Sequence, residues 1–474
     1  MPVYMSLIMA AAFVVKELRY KNEPITKSYV LPALGAKFLG SILFCAIYVF
    51  YYKGGDVFVY YDDLEDIWEL FVLQDPSVAW EILTSPPLGV DLGIDAPNKN
   101  LRFYRDPASF MVVRIAAVLS LFAFKSLWLT SILMATLSFT GIWALYRVFL
   151  AHYPKLHFPL ARAVFFVPSL FFWGSSVMKD TITLGALGWL VYAVYHLFIQ
   201  RNQLISSLII LYLSVQLINI VKGYIVAGFA LPALYWILSH YISTTKDRAL
   251  RILMTAMIGV GIFGMVVVVR DNIGTIIQFG IQKFIQMATD FQSYHGSLAE
   301  GGQSGYDLGT IEFTPLGILR TFPAAVNVTL FRPYLFEVRN PVMLISAFES
   351  TFMMLFALFM FLRIGFFRTL AIAGRTPIIM MCLLFSIIFG FAVGFTSYNF
   401  GALVRYKIPC IPFFVGALFM TYRQYQLDKI QERLPVLGGF FEPIYVNFQF
   451  VLRRILPKKK VEKERKEDCF SGEK

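Results

Sequence analysis

Apolar residues in this chain come in long runs rather than in amphipathic stripes or strict alternation. A run of roughly 20 apolar residues is long enough to cross a bilayer as a helix. Ten runs meet that test, at about 31–52, 126–149, 160–178, 181–199, 203–221, 223–242, 252–269, 341–363, 376–396 and 403–422. Residues 3–15 form an eleventh, short for a crossing and expected to lie at the interface. The run 110–124 is also short and carries Arg114, which predicts an amphipathic helix on the outer face. The pattern is that of an all-α polytopic membrane protein with about ten transmembrane helices, or eleven if 3–15 crosses.

Charge orients these runs. The segment 16–37 carries Lys16, Arg19, Lys21, Lys27 and Lys37 against Glu17 and Glu23, and is expected in the cytoplasm. Residues 53–109 hold four basic and eleven acidic residues, a net of −7, and are expected outside. The segments 145–162, 245–251 and 363–375 are basic, and the tail 423–474 has twelve basic and eight acidic residues; all four are expected inside. Two long extracytoplasmic loops result, 53–125 and 270–340, expected to bear interfacial helices and to pack as a cap. The layout divides into an interfacial N-terminal segment 1–30, a bundle 31–422 and a basic cytoplasmic tail 423–474. Residues 436–456 read as an interfacial helix beside anionic headgroups.

Composition agrees. Hydrophobic residues make up 58% and charged residues 15%, against about 25% charged in a soluble domain. A disordered or collagen-like chain is excluded, and a soluble globular one is disfavoured. The net charge of +12 marks cytoplasmic loops and gives no sign of nucleic-acid binding. Cys45, Cys382 and Cys410 lie in apolar runs and Cys469 in the tail, so no disulfide framework is indicated. The start of the chain lacks the charged region and cleavage site of a signal peptide. The five histidines are scattered and no metal-ligand spacing is visible. Phosphate-binding loops, dinucleotide fingerprints and nucleophile elbows are missing.

Four polar constellations sit at ends of apolar runs. Gly54-Gly55-Asp56 follows the first run, with Tyr60 close behind. The glycines permit a sharp turn, and a partly desolvated Asp56 there suits base work or holds a cation. The stretch Pro168 to Asp180 ends in Gly174-Ser175-Ser176-Val177-Met178-Lys179-Asp180. Charges at such a boundary need partners or water. Lys179 can engage a phosphate, and Asp180 can orient it or assist a metal; the alternative is a plain turn with snorkelling charges. Arg405 and Lys407 open the last run from outside, against the usual charge bias, and a lipid phosphate would explain them. Arg332 and Glu337, among aromatics, precede the eighth run, and the Gly- and Ser-rich stretch 295–309 upstream reads as a flap.

A first span that exits into an acidic residue, an outer loop with interfacial helices and a charged turn after the third span resemble the GT-C superfamily of polytopic glycosyltransferases. Gly55-Asp56 with Tyr60 resembles the acidic motif after the first span of mannosyl- and aminoarabinosyl-type members. Pro168 to Asp180 resembles the second acidic motif of oligosaccharyltransferase catalytic subunits, with Lys-Asp where two acids stand there. The set of motifs across 35–420 also looks like uncharacterised bacterial membrane proteins associated with surface polysaccharide. The resemblance implies an inner-membrane enzyme that moves a sugar from a polyprenyl-phosphate donor to an acceptor hydroxyl, with inversion, for cell-envelope polysaccharide. Asp56 and Asp180 would be catalytic, and Arg405, Lys179 and Arg332 would hold the donor phosphate. Tyr60, Lys407 and Glu337 are further candidates. The resemblance fixes no cofactor, and a divalent cation stays open. Partners would be the lipid-linked donor, a glycan or lipid acceptor and membrane lipids. Two other readings stand beside it: a polymerase or ligase acting on lipid-linked glycans, and a non-catalytic carrier or flippase.

Overall fold

The computed structural model describes residues 1–85, 101–245 and 315–430, with 247, 249, 305, 306 and 308. The run 252–269, the stretch 295–304, most of 270–314 and the tail from 431 lie outside the described residues. Among the described residues the chain is helical throughout, with a single isolated bridge between Gly305 and Asn399. Six helices are long and apolar enough to cross a membrane: Pro24–Tyr52, Leu127–His152, Lys179–Ile199, Leu204–Thr244, Pro341–Ile364 and Pro377–Thr396. A bent pair, Phe400–Tyr406 with Ile411–Lys429, makes a seventh if read as one span. This is the build of a polytopic membrane protein. Outward faces agree: Leu208 and Tyr212 on one helix, and Phe348, Phe352, Leu355 and Phe359 on another, are exposed. An apolar belt of that size suits lipid, whereas on a soluble protein it would mark a contact site.

We number the helices in chain order: α1 Pro2–Arg19, α2 Pro24–Ala46, α3 Asp56–Leu73, α4 Pro76–Thr84, α5 Pro107–Phe122, α6 Leu127–His152, α7 His157–Phe165 and α8 Pro168–Trp173. Then come α9 Lys179–Val194, α10 Leu204–Thr244, α11 Pro315–Phe331, α12 Pro341–Ile364, α13 Phe366–Arg375, α14 Pro377–Thr396, α15 Phe400–Tyr406 and α16 Ile411–Ile430.

Helix α10 is one by hydrogen bonding and two by path. Lys222 has non-helical angles, φ −151° and ψ 70°. The Arg201 Nε just before α10 donates to the Tyr241 hydroxyl near its far end at 3.2 Å. A straight helix rises about 1.5 Å per residue, which would hold those residues tens of ångströms apart. The chain therefore reverses at Lys222, where the apolar runs 203–221 and 223–242 meet.

Other elements differ from the sequence reading. The run 160–178 is not a continuous helix. Pro168 disfavours helical angles at Val167, which is extended, so the run breaks into α7 and α8. His157 contacts Tyr29 near the start of α2, while Trp173 lies under Arg405, so the broken segment still runs the length of the bundle. The expected loop 270–340 contains α11, packed along α14, where Thr329 donates to the Gly390 carbonyl at 2.6 Å. A Cβ on Gly394 would lie 2.0 Å from the Ala325 carbonyl oxygen. The last run bends by 62° between α15 and α16, where Pro409 and Pro412 stand. The run 110–124 falls mostly in α5, Pro107–Phe122, which has 16 residues and is shorter than a span.

Backbone freed by these breaks is satisfied by buried charges, as non-helical chain inside a membrane protein requires. Lys37 donates to the Gly174 carbonyl and to Ser138. Lys407 donates to the Arg332 carbonyl at 3.0 Å and to Ser350 at 2.7 Å. Glu349 accepts from the Ser169 amide at 2.9 Å and its hydroxyl at 2.7 Å, at the start of α8.

Ion pairs sit at both ends of this bundle. Glu23 and Arg147 pair at the end that holds Lys155, and Asp56, Asp106 and Asp180 gather at the other. With Cys469 replaced, the cysteines of the described residues are all buried, so single introduced cysteines report sidedness. Gln74→Cys is expected to react with an impermeant maleimide from outside intact cells, and Lys155→Cys only after permeabilisation. Equal labelling of both from outside would sink this orientation.

Candidate functional site

The site forms where α3, α9, α10 and α15 converge. After α2 the chain winds through a π-helical turn, Ile47–Tyr52, then left-handed Lys53 and Gly55 at φ 110°. A Cβ at Gly55 would lie 2.9 Å from the Tyr48 ring, so the turn needs glycine in both angle and space. Asp56 opens α3 directly afterwards. Asp180 is the second residue of α9. That helix is held tightly against α6, since a Cβ at Gly141 would lie 1.8 Å from the Gly185 carbonyl oxygen. Small residues that let backbones touch are the usual device for close helix packing in membranes. Arg405 lies in the last turn of α15, whose start is capped by the Asn399 side chain accepting from Gly401 and Ala402.

Arg405 bridges both carboxylates predicted from sequence. Its Nη1 lies 3.2 Å from Asp56 Oδ2 and its Nη2 3.5 Å from Asp180 Oδ2. Its guanidinium also lies over Trp173, 5.6 Å from the ring centre. Asp180 is 1% exposed and takes a second partner, Lys222 Nζ. Lys222 in turn lies 4.6 Å over the Tyr406 ring. Asp56 is different: its side chain is 60% exposed, against 19% for Arg405. The network thus runs from solvent-facing Asp56 through Arg405 to a sealed Asp180–Lys222 pair. The buried Arg405 Nε finds no hydrogen-bond partner among the described residues, and neither does the Ser175 hydroxyl.

Lys179 joins from the side, pairing with Asp106 at 3.2 Å. Asp106 caps α5 through the Ala108 amide at 3.1 Å and accepts from the Ser109 hydroxyl. Burial lifts the Asp106 carboxyl, but the Ser109 bond and the Lys179 ammonium outweigh it and hold it below the usual carboxylate range. Tyr60 donates to Ser109 at 3.5 Å and so touches the same network. Burial pushes its phenol up, which keeps it a neutral donor.

The remaining candidates gather separately. Arg332 makes a two-pronged pair with Glu337 and lies over Phe400 at 5.1 Å. Lys407 is 1% exposed and tied to Arg332 through the backbone carbonyl. These residues lock the bend between α11, α12 and α15. Lys222 and Asp106 escaped the sequence reading. A lone Lys between two apolar runs reads as a loop residue, yet the cost of a charge at that depth was the available signal.

Three carboxylates and three cations balance here. An arriving anion would compete with a carboxylate for Arg405, and Asp56 is the exposed one. Among the described residues no group of three His, Cys, Asp or Glu comes together as a metal site. No family model, curated protein or solved structure matches this chain.

Proposed function

We propose that the protein is a membrane glycosyltransferase of GT-C-like design, with ten spans and its site at the outer face of a bacterial inner membrane. A sugar passes from a polyprenyl-phosphate-linked donor to an acceptor hydroxyl. The carrying observation is Arg405, half-buried and reachable, shared between one exposed and one sealed carboxylate. A donor phosphate takes the place of Asp56 on Arg405 Nη1. Asp56, released, accepts the proton of the acceptor hydroxyl. The acceptor oxygen bonds to the anomeric carbon while its bond to the phosphate oxygen breaks, inverting that carbon. Negative charge develops on the phosphate, where Arg405 stabilises it. An apolar cavity of about 280 Å³ supports this reading, since it is lined by Thr181, next to Asp180, with Met134, Ile182, Trp189 and Leu213. An isoprenoid chain would fit such a lining.

The carrier reading draws on one observation: Lys37, Glu349 and Lys407 are charged groups buried inside the bundle. Each is spent on broken backbone, however, which favours the enzyme. Arg405→Lys keeps the charge but loses the planar fork. Donor binding is expected to fall about tenfold or more for Lys and further for Ala, read by titrating a radiolabelled lipid-phosphate sugar onto purified protein. Unchanged binding in Arg405→Ala would remove the phosphate role. Sugar release into an acceptor by the wild type separates transfer from transport.

A further inference from the structure

The turn that delivers Asp56 also carries a file of aromatic rings that the transfer step does not use. Tyr51 and Tyr52 end the π-helical turn Ile47–Tyr52, and both are exposed. Adjacent residues on a regular helix do not face each other, yet these two rings meet edge to face with centres 5.0 Å apart. The Tyr52 ring lies 5.3 Å from that of Tyr48, which is buried and stacks on Phe44 at 4.4 Å. Phe44 meets Trp173 at 5.7 Å, and Trp173 lies under Arg405. Tyr48 is also the ring against which Gly55 closes, one residue before Asp56. The file therefore begins at exposed Tyr51, passes the Asp56 turn and ends beneath the guanidinium. The hydroxyls of Tyr48, Tyr51 and Tyr52 take no hydrogen-bond partner among the described residues.

We propose that this file is the acceptor's binding surface and that the acceptor is a glycan more than one sugar long. The inference rests on the transferase reading and adds the class of acceptor the site takes. A pyranose ring presents C–H groups on its faces and hydroxyls around its rim. A tyrosine answers both with an apolar face and a polar tip, and holding it in place costs little conformational freedom. Tyr51 and Tyr52 offer the exposed rings, and Tyr48 backs Tyr52 and ties it to the Asp56 turn. The reacting hydroxyl then stands at Asp56 while the rest of the glycan runs outward over Tyr52 and Tyr51. A lipid alcohol would leave the phenol hydroxyls unused. Tyrosines that only anchor a helix at the interface have no need to join into one file that ends at Arg405. The π-helical turn fits the same role, since such turns are rare and recur at functional sites.

The probe is a pool of fluorescently tagged short oligosaccharides, cut by mild acid from the envelope polysaccharide of the source organism. It is titrated without donor onto the full chain in nanodiscs and read by anisotropy. The wild type is expected to bind. Tyr52→Ala is expected to weaken binding about tenfold, and Tyr51→Ala with Tyr52→Ala further. Tyr52→Phe keeps the ring and should stay within about threefold of the wild type. Both side chains are exposed, so the unfolding midpoint and the donor affinity should hold in all three. Should Tyr52→Ala not fold, Tyr51→Ala alone is read in the same way. Unchanged glycan affinity in the double variant overturns the proposal. So does poorer insertion with glycan affinity kept, the mark of interfacial anchoring. A wild type that binds no fragment also overturns it; if that protein still transfers sugar to a lipid alcohol, the transferase reading stands. Fragments bound through Tyr52 with no sugar transferred would keep the glycan surface and remove the transferase.

Discussion

Asp180→Asn is expected to destabilise the protein by about 3–5 kcal/mol, the loss that follows when one partner of a buried ion pair is removed. Asp180 is 1% exposed and serves two cations, Lys222 and Arg405. The amide keeps the shape and one acceptor oxygen, but two positive charges are left facing each other. Lys222 suffers most, since it sits at the reversal of α10 with 7% of its side chain exposed. The cost should therefore show as a lower unfolding midpoint in detergent, together with poorer insertion. Lys222→Met in the same chain removes the stranded ammonium, and the double variant should recover most of the loss. Arg405 then retains Asp56. Apolar replacement of a whole buried pair is often neutral or better. An Asp180→Asn midpoint equal to the wild type would show that this pair does not hold the reversal. A double variant no better than the single would show that the carboxylate acts through something other than charge.

The parts of this network differ in how far they could be read from residues alone. Asp56 and Asp180 were visible because each ends a long apolar run, where a carboxylate needs a reason to be. Arg405 was visible because its sign opposes the charge bias of the face it was assigned to. Their mutual contact was not visible: Asp56 and Arg405 are 349 positions apart, and which helix ends meet is decided by packing such as that at Gly141 and Gly185. Lys222 was hidden because a single charge between two apolar runs is read as the loop that separates them. That reading placed the reversal correctly and missed that the loop residue turns inward. The helix α11 was hidden by Arg320 and Pro323, which broke its apolar run below span length, although Ala325 and Thr329 fit the small faces of Gly390 and Gly394. The run 160–178 failed in the opposite sense. Its hydropathy is continuous, but Pro168 and the backbone before it are not compatible with one helix. Hydropathy reports residence in the bilayer, and it does not report whether the backbone stays helical there. The buried charges Lys37, Glu349 and Lys407 are the counterpart of those breaks, and only the broken ends explain their positions.

Asp56→Asn should separate from Asp180→Asn in every readout. The Asp56 side chain is 60% exposed, and its pair with Arg405 is the outermost link of the network. Exposed ion pairs contribute about 0–1 kcal/mol, so the unfolding midpoint should change little. Transfer should fall by about 10²–10⁴-fold, the usual worth of a positioned general base. The two kinetic constants carry the decisive sign. The amide of the Asp56→Asn variant no longer offers a carboxylate to Arg405, so a donor phosphate meets less competition there. KM for the donor should hold steady or fall while kcat collapses. Were Asp56 only a strut for Arg405, its loss would loosen the guanidinium, raise KM and leave kcat largely intact. Asp56→Glu adds a further check, because it keeps the charge and moves the oxygens by one methylene. Partial recovery of kcat with Glu and none with Asn fits a base whose reach is set by the Gly55 turn. Full turnover in Asp56→Asn would take the proton elsewhere, with the exposed Asp62, six residues on along α3, the next carboxylate to test.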